Sequence, residues 1–266
     1  MESLPLVLAI TLGAAVGSFL NVVAYRLPQG LSLLSPPSRC PHCLTPLKPW
    51  ENVPVLGWLW LRGRCGTCRE AIAGRYPLVE ALTALLFAGL YLSYGPSVLT
   101  LGGWVFTSWL LALALIDLDT FTLPDRLTQP GLVVGLLFYS GATWAAGRSP
   151  WEGLWQGVLG MVVGLWLLEL LGLGASLILG QTALGGGDPK LAALLGAWLG
   201  WKHLLVALGL ACLSGTLIGL GGRAAGRLRQ GQRIPFGPFL ALGGILTLFV
   251  GDRLLQWYLR WLLPTA

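Results

Sequence analysis

Val98-LTLGGWVFTSWLLALALI-Asp117 carries no charge until its last residue, and that stretch decides the class of the chain. A bilayer core about 30 Å thick needs roughly 20 apolar residues in a helix, so Val98 to Ile116 reads as one complete span closed by a carboxylate. The rest of the sequence agrees. Hydrophobic residues make up 55% of the 266, charged residues only 11%, and there are 13 Trp and 38 Gly. A mean hydropathy of +0.73 lies well outside the range of soluble domains. The alternating ten-residue strands of a membrane barrel are absent, so the spans are expected to be helices.

Outward from that run, apolar stretches recur on both sides. Pro5 to Ala24 reads as a retained first span rather than a cleaved signal, because it lacks a basic start and a small-residue cleavage site. Pro77 to Tyr94 precedes the opening run, separated from it by a turn at Gly95-Pro96. After the short acidic loop Asp117 to Thr128 come Pro130 to Ala146, Gly153 to Leu179 with a possible break at Gly172 and Gly174, and Pro189 to Gly200. His203 to Gly221 and Phe236 to Val250 complete an expected eight spans, and the aromatic stretch Leu254 to Leu263 fits the outer interface. The expected fold is an all-α polytopic membrane protein of about eight transmembrane helices with one cytoplasmic loop. It divides into a first helix (1–26), a cysteine-bearing loop (27–76) and a helical core (77–266).

The net charge of +6 does not call for nucleic acid, because the basic residues follow topology. Threading eight spans from an external N-terminus places 13 of the 17 Lys and Arg residues on one side. That side is cytoplasmic by the positive-inside rule, and it carries the long loop, Asp117, Asp188 and the basic loop Arg223 to Arg233. Within the first span Gly13, Gly17, Asn21 and Tyr25 recur every fourth residue, which marks a face suited to close helix packing.

Five cysteines are present, and four form Cys40-Pro-His-Cys43 and Cys65-Gly-Thr-Cys68 with 21 residues between the pairs. Four thiolates in two such pairs suit a tetrahedral structural zinc site, with metal binding stabilising a loop too small for its own core. No thioredoxin-like pattern supports a redox role, His42 reads as exposed, and Cys212 reads as packed in an apolar run.

Chemistry concentrates on two acids in a chain nearly empty of them. An acid at the end of a span is costly against lipid, so Asp117 should face the bundle or a watery cavity. Asp188 stands in Gly185-Gly186-Gly187-Asp188-Pro189-Lys190. Asp before Pro is also an ordinary helix start, with Asp188 as N-cap. A cap does not need three glycines, whereas an extended substrate strand passing beside the carboxylate does need a backbone that can be approached closely. Two carboxylates at one site hold a proton between them, so one can deprotonate water while the other protonates a scissile carbonyl. Glu80 and Glu169 are further acids in or near spans, for which an internal Arg or hydroxyl partner is expected.

These residues resemble a known family. Gly13-x-x-x-Gly17-Ser18-Phe19-Leu20-Asn21 continuing to Leu27-Pro28, the cysteine pairs, Ile116-Asp117 leading to Leu123-Pro124-Asp125, and Gly185-Gly186-Gly187-Asp188 are together similar to type IV prepilin peptidases, from about Gly13 to Gly200. The resemblance implies a bifunctional enzyme of the bacterial inner membrane. Asp117 and Asp188 are then the catalytic aspartates of a GxGD-type protease, with Asp125 structural or facing the substrate; Gly185, Gly186 and Gly187 are read from their own chemistry as shaping the strand's approach, and Lys190 as holding the pair's charge or marking the cytoplasmic interface. Its substrates would be prepilin and pseudopilin precursors, cut after a glycine behind a basic leader, and the new N-terminus would be methylated with S-adenosylmethionine. No glycine-rich fingerprint locates that donor. A proton- or cation-coupled transporter is the alternative from another class, and it predicts inverted repeats that are not evident. Oligomeric state and native substrate are not readable from the sequence.

Overall fold

The computed structural model describes residues 3–181, 184–227 and 234–262. Arg229, Arg233 and Leu263, which belong to the expected basic loop and terminal interface, lie outside those residues. The chain forms two compact units, 1–108 and 109–266, with the boundary inside a helix. Every element of the described residues longer than a single bridge is helical. Lipid offers the backbone no hydrogen bonds, and helices satisfy their own.

The first unit holds α1 (Ser3–Arg26), the short α2 (Leu56–Trp60), α3 (Arg75–Tyr94) and the beginning of α4 (Val98–Thr120). α1 and α3 pack backbone to backbone where the glycine stripe was expected. A Cβ at Gly13 would lie 2.8 Å from the Ala84 Cα, and one at Gly17 2.7 Å from the Glu80 Cα. Asn21 completes the contact by donating to the Tyr76 carbonyl at 3.2 Å. Tyr25 leaves the stripe and is exposed, because four-residue steps drift around a 3.6-residue helix. The Trp104 indole donates to the Phe87 carbonyl at 2.9 Å and its ring stacks on Phe87.

The second unit holds the end of α4, then α5 (Asp125–Ala145), α6 (Pro150–Leu179), α7 (Asp188–Ala224) and α8 (Gly237–Leu262). α6 runs as one helix to Leu179 without a break at Gly172 or Gly174. α4 continues past Asp117 to Thr120, so Asp117 stands in its last turn and not in a loop.

Among the described residues six helices are long and apolar enough to cross a membrane, not the expected eight. Two features account for the difference. α5 begins with the polar turns of Asp125, Arg126, Thr128 and Gln129, which lower its hydropathy below that of a span. α7 counts once, although it was expected as two spans, because its helical assignment continues through a non-helical Gly200 at φ 70°, ψ 167°.

The packing shows what that glycine does. Residues 188–199 lie antiparallel to α6, with Gly196 against Gly160 and Ala192 against Gly164. Residues 201–224 lie antiparallel to α8, with His203 beside Asp252 and Gly251, Ala207 and Ala211 against Gly243, and Gly215 against Phe239. Since α8 starts beside Asp117, whose charge reaches Asp188 at the start of α7, the chain reverses direction at Gly200.

The segment before the reversal is only about 18 Å long at 1.5 Å per residue, too short to cross a bilayer. It needs no lipid contact: Leu191, Ala192, Leu194, Leu195 and Ala197 are fully buried. Two indoles on its α5 side satisfy carbonyls there, Trp109 donating to Leu127 and Trp198 to Gly131, each at 2.9 Å.

A side chain at Gly196 has no room against the Gly160 carbonyl, whereas one at Gly219 meets nothing within 4 Å. Gly196→Val should therefore destabilise the protein by about 1–3 kcal/mol or prevent its assembly. Thermal unfolding of the detergent-solubilised protein checks this, with Gly219→Val expected to unfold like the wild type.

Candidate active site

The buried half-helix delivers Asp188 into the second unit from the side opposite its reversal. Gly187, not Asp188, holds the cap position of α7, and Asp188 is its first helical residue, so the expected helix cap is not its role. Its Oδ2 instead accepts the Gly185 N–H at 3.1 Å, while its own N–H donates to the Gly185 carbonyl at 3.1 Å. The three glycines form this tight turn without entering the left-handed region. Gly187 is needed because a Cβ there would sit 2.9 Å from the Leu123 Cβ, and the space around Gly186 is open.

Asp117 is held differently. Its Oδ2 accepts the Gly237 N–H at 3.0 Å, in the first turn of α8, and a Cβ on Gly237 would come within 2.5 Å of that oxygen. Both carboxylates are buried, at 5% and 6% exposure, and the charge of Asp117 acts on Asp188. The structure thus brings together the two acids seventy-one positions apart in the chain. Each rests on a glycine N–H.

Gly237 was not singled out from the sequence. The signal was present in Pro235-Phe236-Gly237-Pro238, where Gly before Pro opens a helix, but nothing local links it to an acid 120 residues earlier.

Lys190 and Asp125 stand at the rim and pair with each other at 2.6 Å, each about half exposed. The lysine therefore answers Asp125 rather than the buried acids. Glu169 is exposed on α6 and has no internal partner among the described residues. Cys212 is exposed, not packed. Glu80 is buried as expected of an acid on a span, but its partner is a backbone group: it accepts the Val55 N–H at 2.6 Å and ties the loop to α3.

In the first unit the four expected cysteines converge. The Sγ atoms of Cys40, Cys43, Cys65 and Cys68 all lie within 4.8 Å of one another, while His42 is exposed and outside the cluster. The two pairs sit on matching turns. Cys40 N–H donates to Thr45 and Leu44 N–H to Cys40; likewise Cys65 N–H donates to Glu70 and Arg69 N–H to Cys65. Leu44 and Arg69, each four residues past the first cysteine of its pair, both adopt positive φ. Hydrogen bonds from the Thr45 side chain and backbone pull the Cys43 thiol down to about 6, while burial and the three neighbouring thiols push Cys68 up to about 12. The cluster is able to hold a metal ion.

A multi-pass helical bundle with a buried carboxylate pair beside a glycine turn, and a four-thiol cluster in its long loop, defines the class. The chain belongs to the type IV leader peptidase family. The profile described by that name matches residues 104–220, and the bacterial peptidase A24 N-terminal domain matches residues 11–94. Similar proteins named prepilin leader peptidase/N-methyltransferase occur in Aeromonas hydrophila, 41% identical over 92% of this chain and 90% of the relative, and in Neisseria gonorrhoeae, 38% identical over 95% and 94%. Another, from Burkholderia pseudomallei, is 42% identical over 92% of this chain and 85% of the relative. No solved structure gives a significant match.

If the four thiols bind one ion jointly, Cys40→Ser or Cys65→Ser should each remove the bound metal from the purified protein, while Cys212→Ser leaves it in place. Elemental analysis distinguishes these outcomes.

Proposed function

We propose that this chain is a membrane-embedded aspartic endopeptidase that removes the basic leader of type IV prepilins and pseudopilins, cutting after a glycine, and then N-methylates the new N-terminal residue. The name carried by its relatives supports both activities. The observation that carries the peptidase is the meeting of two buried acids, Asp117 and Asp188, each fixed by a glycine N–H. The transporter alternative gains no support from the fold or from the family.

The chemistry follows from the pair. One carboxylate takes a proton from a water molecule as the water oxygen bonds to the scissile carbonyl carbon; the other donates a proton to the carbonyl oxygen. Collapse of the tetrahedral species breaks the C–N bond as its nitrogen gains a proton, and the acids return to their starting state. Gly185 and Gly237 hold the carboxylates in orientation, and the open side of Gly186 gives an extended substrate strand an approach. Lys190 and Asp125 frame the rim where a polar leader enters.

The site is placed at the cytoplasmic face of the bacterial inner membrane, with the N-terminus outside. A basic leader retained on the positive-inside face and joined to an apolar helix in the bilayer would present its junction at the depth of Asp117 and Asp188.

Zinc is the ion proposed for the cysteine cluster. Tetrahedral zinc with Zn–S bonds of about 2.3 Å requires sulfurs roughly 3.8 Å apart. Cys40 and Cys68 are separated by 3.8 Å and Cys43 and Cys65 by 3.9 Å. S-adenosylmethionine supplies the methyl group that the amine exposed by cleavage would accept.

Asp117→Asn and Asp188→Asn should each lower prepilin cleavage by about 100-fold or more, since general acid and base contributions are of that size. Gly237→Ala should also cut cleavage sharply, because its methyl meets Asp117 Oδ2. Reconstituted protein and a prepilin substrate test all three. Wild-type cleavage by either aspartate variant would reject the pair.

A further inference from the structure

The loop between α1 and α3 carries an apolar face that no described residue covers. In α2 the side chains of Leu56, Leu59 and Trp60 recur at i, i+3 and i+4, so they share one side of the turn. They are 61%, 56% and 81% exposed. A single exposed leucine is ordinary, whereas three large apolar side chains on one turn form a patch that calls for an occupant.

The opposite side of α2 is fixed to protein. A Cβ at Gly57 has no room against the Glu51 carbonyl, and the Trp58 indole donates to the Ile72 carbonyl at 3.0 Å. At the entry the Val55 N–H donates to Glu80 at 2.6 Å. Val55 takes a φ of 62°, which a β-branched residue avoids, so this long-range bond and not local preference sets where α2 starts.

Glu80 supplies the depth. α3 has 20 residues, and at 1.5 Å each it is about 30 Å long, no more than the hydrocarbon core it crosses. Its first turn therefore lies at the edge of the core, and the Glu80 Cα lies about 7 Å further in. Helical side chains lean toward the N-terminus, which returns the carboxylate to the edge itself. Val55 is bonded to that carboxylate, so α2 starts at the interface. Side chains that point away from protein at this depth meet lipid and not water.

Charge agrees. From Asn52 to Arg69 there is no acid, while Arg62 and Arg64 follow α2 directly and are exposed. An indole and leucines followed by arginines are the composition of a segment lying in the interface, with apolar parts among the acyl chains and charges at the headgroups.

We propose that α2 is an interfacial anchor, whose Leu56, Leu59 and Trp60 insert into the acyl boundary of the phospholipid leaflet at which α1 ends and α3 begins. A protein partner fits less well, because one helical turn is far smaller than the roughly 800 Å² per partner that a stable protein interface buries. Cys65 follows α2 within the same loop, so the anchor also seats the second thiol pair close to the membrane. The inference rests on α1 and α3 crossing the bilayer and stands whether or not the carboxylate pair cleaves a prepilin.

The test uses the full-length protein in phosphatidylcholine nanodiscs, one copy per disc, with a diazirine near the ester end of the acyl chains and photoadducts mapped by mass spectrometry. Per residue, the peptide covering residues 53–62 should be labelled within threefold of the stretch of α3 where Leu78, Leu82 and Leu85 are exposed. Weaker label in the wild type overturns the anchor. Leu59→Ser combined with Trp60→Ser should lower the label on that peptide at least fivefold and leave the α3 label unchanged; an undiminished label places the lipid contact elsewhere in the peptide and overturns the assignment to α2. If that variant fails to fold, the wild-type comparison decides alone. Label lost when two copies share a disc assigns the face to a second copy, and label lost on adding prepilin assigns it to the substrate; either result overturns the proposal.

Discussion

The contact on which the second unit depends is backbone against backbone. Gly160 meets Gly196 and Gly164 meets Ala192 with no side chain between them, so α6 and the first half of α7 approach more closely than ordinary helices do. Lipid tails are as apolar as leucine, so this closeness, and not the hydrophobic effect, holds the pair together. The buried half-helix can then be short, because it is sheathed by protein and need not reach both interfaces. Its start becomes an interior position in which a carboxylate can be placed at membrane depth without facing lipid.

Placement of the acids follows from that arrangement. Asp188 is presented by the tight glycine turn that starts the half-helix, and Asp117 by the last turn of α4. Among the described residues neither forms an ion pair. Lys190, the nearest lysine in sequence to Asp188, is engaged with Asp125 at the rim, and an exposed pair of this kind contributes little to stability, about 0–1 kcal/mol. Two peptide N–H groups orient the carboxylates instead. These are rigid donors with no rotamers to lose, so they fix the orientation of both carboxylates.

Much of this was legible in the sequence because it is written in local pattern. The apolar runs, the glycine stripe of α1, the four thiols and the two acids each announce themselves within a few residues, and the structure brings each set together. The boundary expected between two spans at Gly200 is where the chain does reverse. What hydropathy cannot register is what surrounds a run: an apolar segment reads the same in lipid or in protein, so the short stretch before Gly200 passed for a span although it is buried in the bundle. α5 shows the converse, since its polar first turns depress an average that its packing against Trp109 and Trp198 compensates. Gly237 and the Glu80 partner were missed because both are backbone contacts across long stretches of chain, and an N–H leaves no mark in a sequence of side chains.

The hydrogen bond from Gly237 has a further consequence for how the molecule comes to exist. α8 follows both acids in chain order, and the donor that orients Asp117 sits in its first turn. During synthesis both acids are already in the bilayer while that donor has yet to arrive. The Asp117 carboxylate therefore gains its peptide donor only once α8 has joined the bundle, so the arrangement of the pair depends on a helix that carries neither of the two acids.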